Sequence, residues 1–366
     1  MTKSVNEKLL DGSIGHDVDL QQTATWLAHR FVGLLNRVDD DLVNTLRDLL
    51  DRNPTATPLS LLRIDELLSS VRELNSRAYR TAGSDLEAQL QELAALEAQA
   101  QADLLRGALP PDLPPQFVVN SVTALQVRQA ALSRPFQGRL LLEWVSQLEE
   151  NRAKALRDIV RIAYSEGMAP EELIRRIRGT KANQFKDGIL NTDRRAAEAV
   201  ARTAMAHTAA TARDAFFAEN EDLIEELVWS STLDLRTSDY CRSRDGKRYT
   251  LLTHKPIGHG FAWLGGPGRI HWRCRSSSYP VVKSWRQLGI PIDELPPGTR
   301  ASMDGQVPAD LTYRQWLMNQ PAARQDEVLG PTRGKLVRSG ELDWDDLYTN
   351  RGEMLSVEQL RAKLRK

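Results

Sequence analysis

The chain has 366 residues, 41% of them hydrophobic and 27% charged, and its 49 basic and 49 acidic side chains cancel to a net charge of zero. At roughly 150 residues per domain this length holds two or three domains, with the composition of a globular chain rather than a disordered one. No apolar run approaches the ~18 residues that span a bilayer, the opening Met1-Thr2-Lys3-Ser4-Val5 lacks the apolar stretch of a secretory signal, and two cysteines cannot build a disulfide scaffold, so membrane, secreted mini-protein and collagen-like classes are excluded and a reducing compartment is expected.

From Ala24 to Leu50 apolar residues recur at three and four (Leu27, Phe31, Leu34, Leu35, Val38, Leu42, Leu46, Leu49), which predicts an amphipathic helix ending before Asn53-Pro54. A second helix is expected from about Pro58 to Leu105, with Gly83-Ser84 as a candidate break. Its later part, rich in Ala, Gln, Glu and Leu, reads as a helix seeking a partner helix, more readily an internal hairpin than a coiled coil. Leu109-Pro110-Pro111-Asp112-Leu113-Pro114-Pro115 cannot be helical and forms the clearest linker. Helix resumes over 121–163 with a break at Arg134-Pro135. It stops at Gly167, which suits a left-handed C-terminal position, and restarts at Pro170-Glu171-Glu172. A further helix covers about Thr192 to Glu219.

At Leu227 the texture changes. Val228-Trp229-Ser230-Ser231-Thr232, Gly246–Thr250 and Arg275–Val282 have strand character, separated by a glycine- and proline-rich loop over 254–268. The remainder predicts short helices near 312–319, 325–329, 332–339 and 356–364, the last with a capping box of Ser356 and Gln359. The expected architecture is therefore α+β and predominantly α: long N-terminal helices, a small α+β module with short strands, and a helical C-terminal tail. In segments, 1–110 is an N-terminal helical region, 111–220 a helical region leading into the module, 221–290 the module, and 291–366 the tail.

Charge is uneven along this plan. Residues 1–110 carry net −6, 152–213 net +6, 214–235 net −7 with no base, and 236–286 net +9. A basic stretch of that density can face phosphate or can be balanced by its acidic neighbour.

The densest chemistry lies between Trp229 and Pro280, where both cysteines and three of six histidines occur. His271 and Cys274 share one turn's spacing and Cys241 lies thirty positions earlier. These three offer the borderline and soft donors that zinc takes in a tetrahedron, with His254, His259 or Asp239 as a fourth. The competing reading is two buried cysteines packing as small hydrophobes beside a satisfied histidine. Arg202, Arg236, Arg273 and Arg275 lie in or beside this run. Their forks suit phosphate, while Asp234, Asp239 and Asp245 are close enough in sequence to pair with Arg236 and Arg275. Trp229 heads a strand and reads as core. No GxxxxGK[ST], GxSxG or HExxH occurs, and no GxGxxG stands between strand and helix, so an enzyme is not expected.

Ala201-Arg202-Thr203, Trp229, Asp234-Leu235-Arg236-Thr237-Ser238-Asp239-Tyr240-Cys241, Asp245-Gly246 and His271-Trp272-Arg273-Cys274-Arg275-Ser276 together resemble the phage Mu F-like minor head proteins, or phage head morphogenesis proteins. Arg300–Gly305, Thr312–Leu317 and Gln325–Arg333 resemble the downstream part of such proteins, so the likeness covers about 165 to 366. Two residues depart from the family pattern: Trp272 stands for its proline and Ser276 for its last cysteine. The resemblance implies a virion protein of the capsid interior, assembled in the host cytoplasm, that contacts portal, capsid or scaffold proteins and supports genome packaging or ejection, with packaged DNA as a non-specific partner. The alternative is a zinc-containing phage nuclease. A fused toxin enzyme is disfavoured, because the C-terminal part resembles head-protein sequence.

Overall fold

The computed structural model describes residues 5–51, 61–110, 118–283, 299–308 and 311–364. The proline stop at Asn53-Pro54, the start at Pro58 and the linker from Pro111 onward lie outside them. The architecture is α+β and predominantly α, as expected. Helix α1 spans Val5–Asp51 and α2 spans Leu61–Ala108, each about 70 Å long at 1.5 Å per residue. Helix α1 begins nineteen residues before the periodic stripe does, because Leu9, Leu10 and Leu20 are buried amid polar neighbours that mask the repeat. The two helices run antiparallel as an internal hairpin. His16 meets Glu97 at 2.5 Å and Arg30 meets Asp85 at 2.5 Å.

Gly83-Ser84 is no break. Helix α2 runs through it, and a Cβ at Gly83 would stand 3.0 Å from Val145 Cγ1, so glycine there permits a neighbouring helix to approach. That neighbour is α4 (Leu141–Ser165), which follows α3 (Ala124–Ser133) after the predicted interruption. Helix α5 (Pro170–Arg178) starts on its proline, after Gly167 at φ +61°, and α6 spans Ile189–Glu219.

A four-stranded antiparallel sheet follows, made of β1 (Ile224–Ser230), β2 (Arg248–Thr250), β3 (Pro256–Ile257) and β4 (Ser277–Val282), in the order β3-β2-β1-β4. Leu227 pairs with Pro280 and Trp229 with Ser278. Pro280 is tolerated because β4 is an edge, where a missing N–H breaks no further ladder. Strand β3 lies inside the stretch expected to be loop. A hairpin of β5 (Thr299–Ser302) and β6 (Gly305–Pro308) precedes the tail helices α8 (Tyr313–Met318), α9 (Ala322–Leu329), α10 (Pro331–Arg338) and α11 (Val357–Leu364). The Ser356–Gln359 capping box closes both ways, at 2.8 and 3.2 Å. Among the described residues no helix is long and apolar enough to cross a membrane.

By packing, the chain forms two compact units, each discontinuous in sequence: residues 1–21, 94–131 and 206–366 in one, 22–93 and 132–205 in the other. The core of the first includes Leu9, Leu105, Phe216, Leu227, Trp229, Tyr249 and Trp263, and a second cluster there joins Leu233 and Phe261 to Tyr313, Trp316, Trp344 and Leu360 of the tail. The second unit is centred on Leu42, Leu46, Val71, Leu156, Val160, Ile177 and Leu190.

Candidate metal centre in a motif module

Strand β1 drives Trp229 into the core, fully buried, with its ring 5.4 Å from Trp263 and 6.4 Å from Tyr249. The chain then leaves the sheet through a turn organised by Asp234, whose carboxylate accepts hydrogen bonds from Arg236 N and Thr237 Oγ1. Ser238 caps the four-residue helix α7 (Asp239–Arg242) by accepting from Cys241 N at 3.4 Å, as a serine at an N-cap does. That cap sets Cys241 on the inner side of the turn. Asp245 next fastens two segments, accepting from Ser231 N and from Tyr313 N at 2.6 Å each, and Gly246, at φ +75°, turns the chain into β2.

The second half of the site comes from 271–274, a tight turn closed by Cys274 N donating to His271 O at 3.3 Å. It places three ligand atoms together. Cys241 Sγ lies 3.7 Å from Cys274 Sγ and 3.3 Å from His271 Nε2, and all three ligand atoms fall within 4.8 Å of one another. Both cysteines are free and buried. His271 Nδ1 lies 2.9 Å from the Trp272 carbonyl, which can only accept, so Nδ1 carries a proton, and Nε2 faces the sulfurs and Ser238 Oγ, 2.7 Å away. This is the outer-shell arrangement that orients a ligating histidine.

Burial pushes the Cys241 thiol well above its ordinary pKa, whereas a hydrogen bond from Cys241, reinforced by His271, holds Cys274 well below its own. Burial lowers the His271 pKa, but the hydrogen bond and charge of Cys274 outweigh it, and the net shift is upward.

The donor set fits zinc in part. Bonds of about 2.3 Å to sulfur and 2.0 Å to nitrogen in a tetrahedron give edges of about 3.7 and 3.5 Å, close to the two edges that Cys241 makes, 3.7 Å to Cys274 and 3.3 Å to His271. The fourth corner is not supplied by either expected histidine. His254 stacks flat on Trp263 at 4.6 Å. His259 lies 2.9 Å from the Arg248 carbonyl through Nε2 and accepts from Phe261 N through Nδ1, so both its nitrogens are engaged. Asp239 pairs with Arg242. Ser276, where the resemblance calls for cysteine, bonds to Ser231 Oγ at 3.3 Å.

The arginines divide. Arg275 clasps Asp234 bidentately at 2.6 and 2.8 Å, tying the start of the module to its end. Arg236 is 83% exposed and reaches Asp234 only at 3.5 Å. Arg273 is exposed in a left-handed conformation, φ +56°. Arg202 belongs to the other unit and bonds Glu198 and Thr25, so it is not gathered into this cluster.

Two residues of the site gave no sign in the sequence. Ser238 is one of many serines until α7 forms. Arg244, buried, donates to the carbonyls of Tyr240, Ala262 and Arg351 at 2.8, 2.8 and 3.0 Å, and those acceptors converge only in the fold.

These elements, a tryptophan-headed strand, an Asp–Arg clasp and a Cys-His-Cys cluster, are the residues that carried the likeness to phage head morphogenesis proteins. Residues 154–278 match the family described as Phage Mu protein F like protein, and this part of the chain belongs to that family. The match begins upstream of the motif run and ends within β4, so Arg300–Gly305, Thr312–Leu317 and Gln325–Arg333 lie outside it. No curated protein and no solved structure matches the chain.

Proposed function

We propose that this chain is a minor structural and assembly protein of a tailed-phage head, inside the capsid at or near the portal, where it meets portal, capsid or scaffold protein and supports genome packaging or ejection. The family match over 154–278 carries the reading. The use of the motif residues supports it: Asp234, Asp245 and Arg275 are engaged in joining segments of the module. Mass spectrometry of heads and procapsids purified from a lysate expressing the chain should find it in both, at far lower copy than the major capsid protein. Absence from both overturns the reading.

The role we assign is structural rather than catalytic. A plasmid-nicking assay with magnesium, manganese or zinc should show no cleavage, and metal-dependent nicking that survives further purification contradicts the assignment. Cys241, His271 and Cys274 would hold a zinc ion with solvent at the fourth position, and the ion would anchor the loop between them to the sheet. Elemental analysis of protein purified without a histidine tag should give close to one zinc per chain; less than about 0.2 rejects the site. Cys274→Ser should lose the zinc and lower the thermal midpoint together.

A further inference from the structure

We infer that Cys241 and Cys274 are a redox pair that closes to an intramolecular disulfide under peroxide when no metal holds them. The 366-residue chain contains these two cysteines and no other. The fold brings them together from α7 and from the 271–274 turn with their sulfurs 3.7 Å apart, so closure to a bond of about 2.05 Å requires small side-chain rotations rather than rearrangement of distant segments. The side chains beside the Cys241 sulfur include Ser238 and Ser276, small groups that leave room for such rotations. His271 is only partly buried and lies 3.3 Å from Cys241 Sγ, which makes its side of the cluster the route for an oxidant as small as hydrogen peroxide.

The chemistry balances. One sulfur attacks the O–O bond to give a sulfenic acid, and its thiol proton leaves with the displaced hydroxide as water. The second sulfur then displaces the sulfenic hydroxyl, which departs with the second thiol proton as another water. Two thiols and one peroxide become one disulfide and two waters, with no thiol left over. Because a sulfur in a disulfide is no longer a thiolate ligand, cross-link and metal exclude one another at this site, yet each joins α7 to the 271–274 turn. The oxidation stands on the thiol pair alone. Its use, to fix the loop covalently once a particle leaves the reducing cytoplasm for an oxidising exterior, rests on the head-protein reading above.

The test uses the full chain, stripped of metal with EDTA and treated with hydrogen peroxide. Free thiols are counted after denaturation, intact mass is measured, and peptides are mapped without reduction. The expected result is loss of both thiols in step, a mass decrease of two hydrogens, a cross-linked pair of peptides containing Cys241 and Cys274, and full recovery with dithiothreitol. Zinc added before the peroxide should slow the loss about tenfold or more, since metal-held sulfur is a poorer nucleophile toward peroxide. Mass gain by added oxygens without a cross-link, or dimers joined between chains, overturns the proposal, and equal rates with and without zinc overturn the exclusion of metal by disulfide. Failure to find the chain in heads leaves the chemistry standing and removes only its use.

Discussion

Asp193 is a half-buried acid that its surroundings do not satisfy. Its Oδ2 is buried without a hydrogen-bond partner, and burial, opposed by Arg152 but reinforced by Asp39, raises its pKa to about 6. An acid whose pKa is raised on folding binds its proton more tightly in the folded state, so between about pH 4 and 6 this side chain holds its proton more fully in the folded chain than in the unfolded one. Stability therefore falls as pH rises through that window, and the cost is fully present above it. Asp193→Asn should flatten the slope and stabilise the chain at pH 7 by about 1–2 kcal/mol, allowing for the remaining pull of the arginines. Urea midpoints at pH 4 and pH 7 read this directly, and an unchanged difference between them rules it out. Trp229 stabilises by packing, although its Nε1 is likewise buried without a hydrogen-bond partner, and Trp229→Ala should cost about 3–5 kcal/mol in the same titration.

At the scale of elements, α1, α2, α6 and β4 are joined in one unit by a charged cluster rather than by apolar contact alone. Arg213 donates to Glu97 at 2.9 Å and to the Ser278 carbonyl at 3.3 Å, and pairs with Asp17 at 3.4 Å; Ser277 also bonds Asp17, and His16 and Gln101 complete the shell of Glu97. Burial drives the Glu97 pKa up, but Arg213 and His16 more than offset it and bring it down to about 2. A depressed acid stabilises the fold above its unfolded pKa and loses that contribution as pH falls through the folded value, here from about 4.5 down to 2. Arg213→Met leaves the buried Glu97 and the half-buried Asp17 without their shared guanidinium, and should cost about 3–5 kcal/mol at pH 7, less at pH 3. Arg77→Ala, which removes an exposed pair with Glu73, should change stability by no more than about 0.5 kcal/mol. Equal effects of the two substitutions in urea unfolding would mean that the cluster does not hold these elements together.

At the scale of the molecule, the matched segment is not a self-sufficient domain. The core around Trp229 and Cys241 is completed by Leu9 of α1 and by Ala102 and Leu105 of α2, far outside 154–278. Residues 154–278 expressed alone should be insoluble or bind a hydrophobic dye, and a sharp thermal transition for that fragment would contradict this. Among the described residues, five of the eleven basic side chains in the +9 stretch are paired inside the fold. Arg242 pairs with Asp239, Lys247 with Asp345, Arg248 with Glu226, Arg269 with Asp214 and Arg275 with Asp234. DNA binding by the whole chain should accordingly be no tighter than about micromolar at physiological salt, with a shallow salt slope. Nanomolar binding in a gel-shift series would show that these pairs open.

The sequence by itself determined what depends on neighbours within a few residues. Periodicity placed the long helices, Gly167 and Pro170 marked a stop and a start, the Ser356–Gln359 box capped the last helix, and the motif run singled out Cys241, His271 and Cys274, which the fold then brought together. Even locally, a signal was legible only when undiluted: the polar residues among Leu9, Leu10 and Leu20 hid the first turns of α1, and the Asp304-Gly305 pair that turns the β5–β6 hairpin lay among residues expected to be tail. Tertiary structure alone decided the rest, because it depends on groups distant in sequence. Gly83 is a contact point with Val145 rather than a break. His254 and His259 are drawn off to Trp263 and to the Arg248 carbonyl, leaving three ligand atoms rather than four. Part of the charge that looked available to phosphate is paired with distant acids, Lys247 with Asp345 and Arg269 with Asp214, since a buried or half-buried cation is stable only where a carboxylate or carbonyl meets it, and which one does so is a property of the packing.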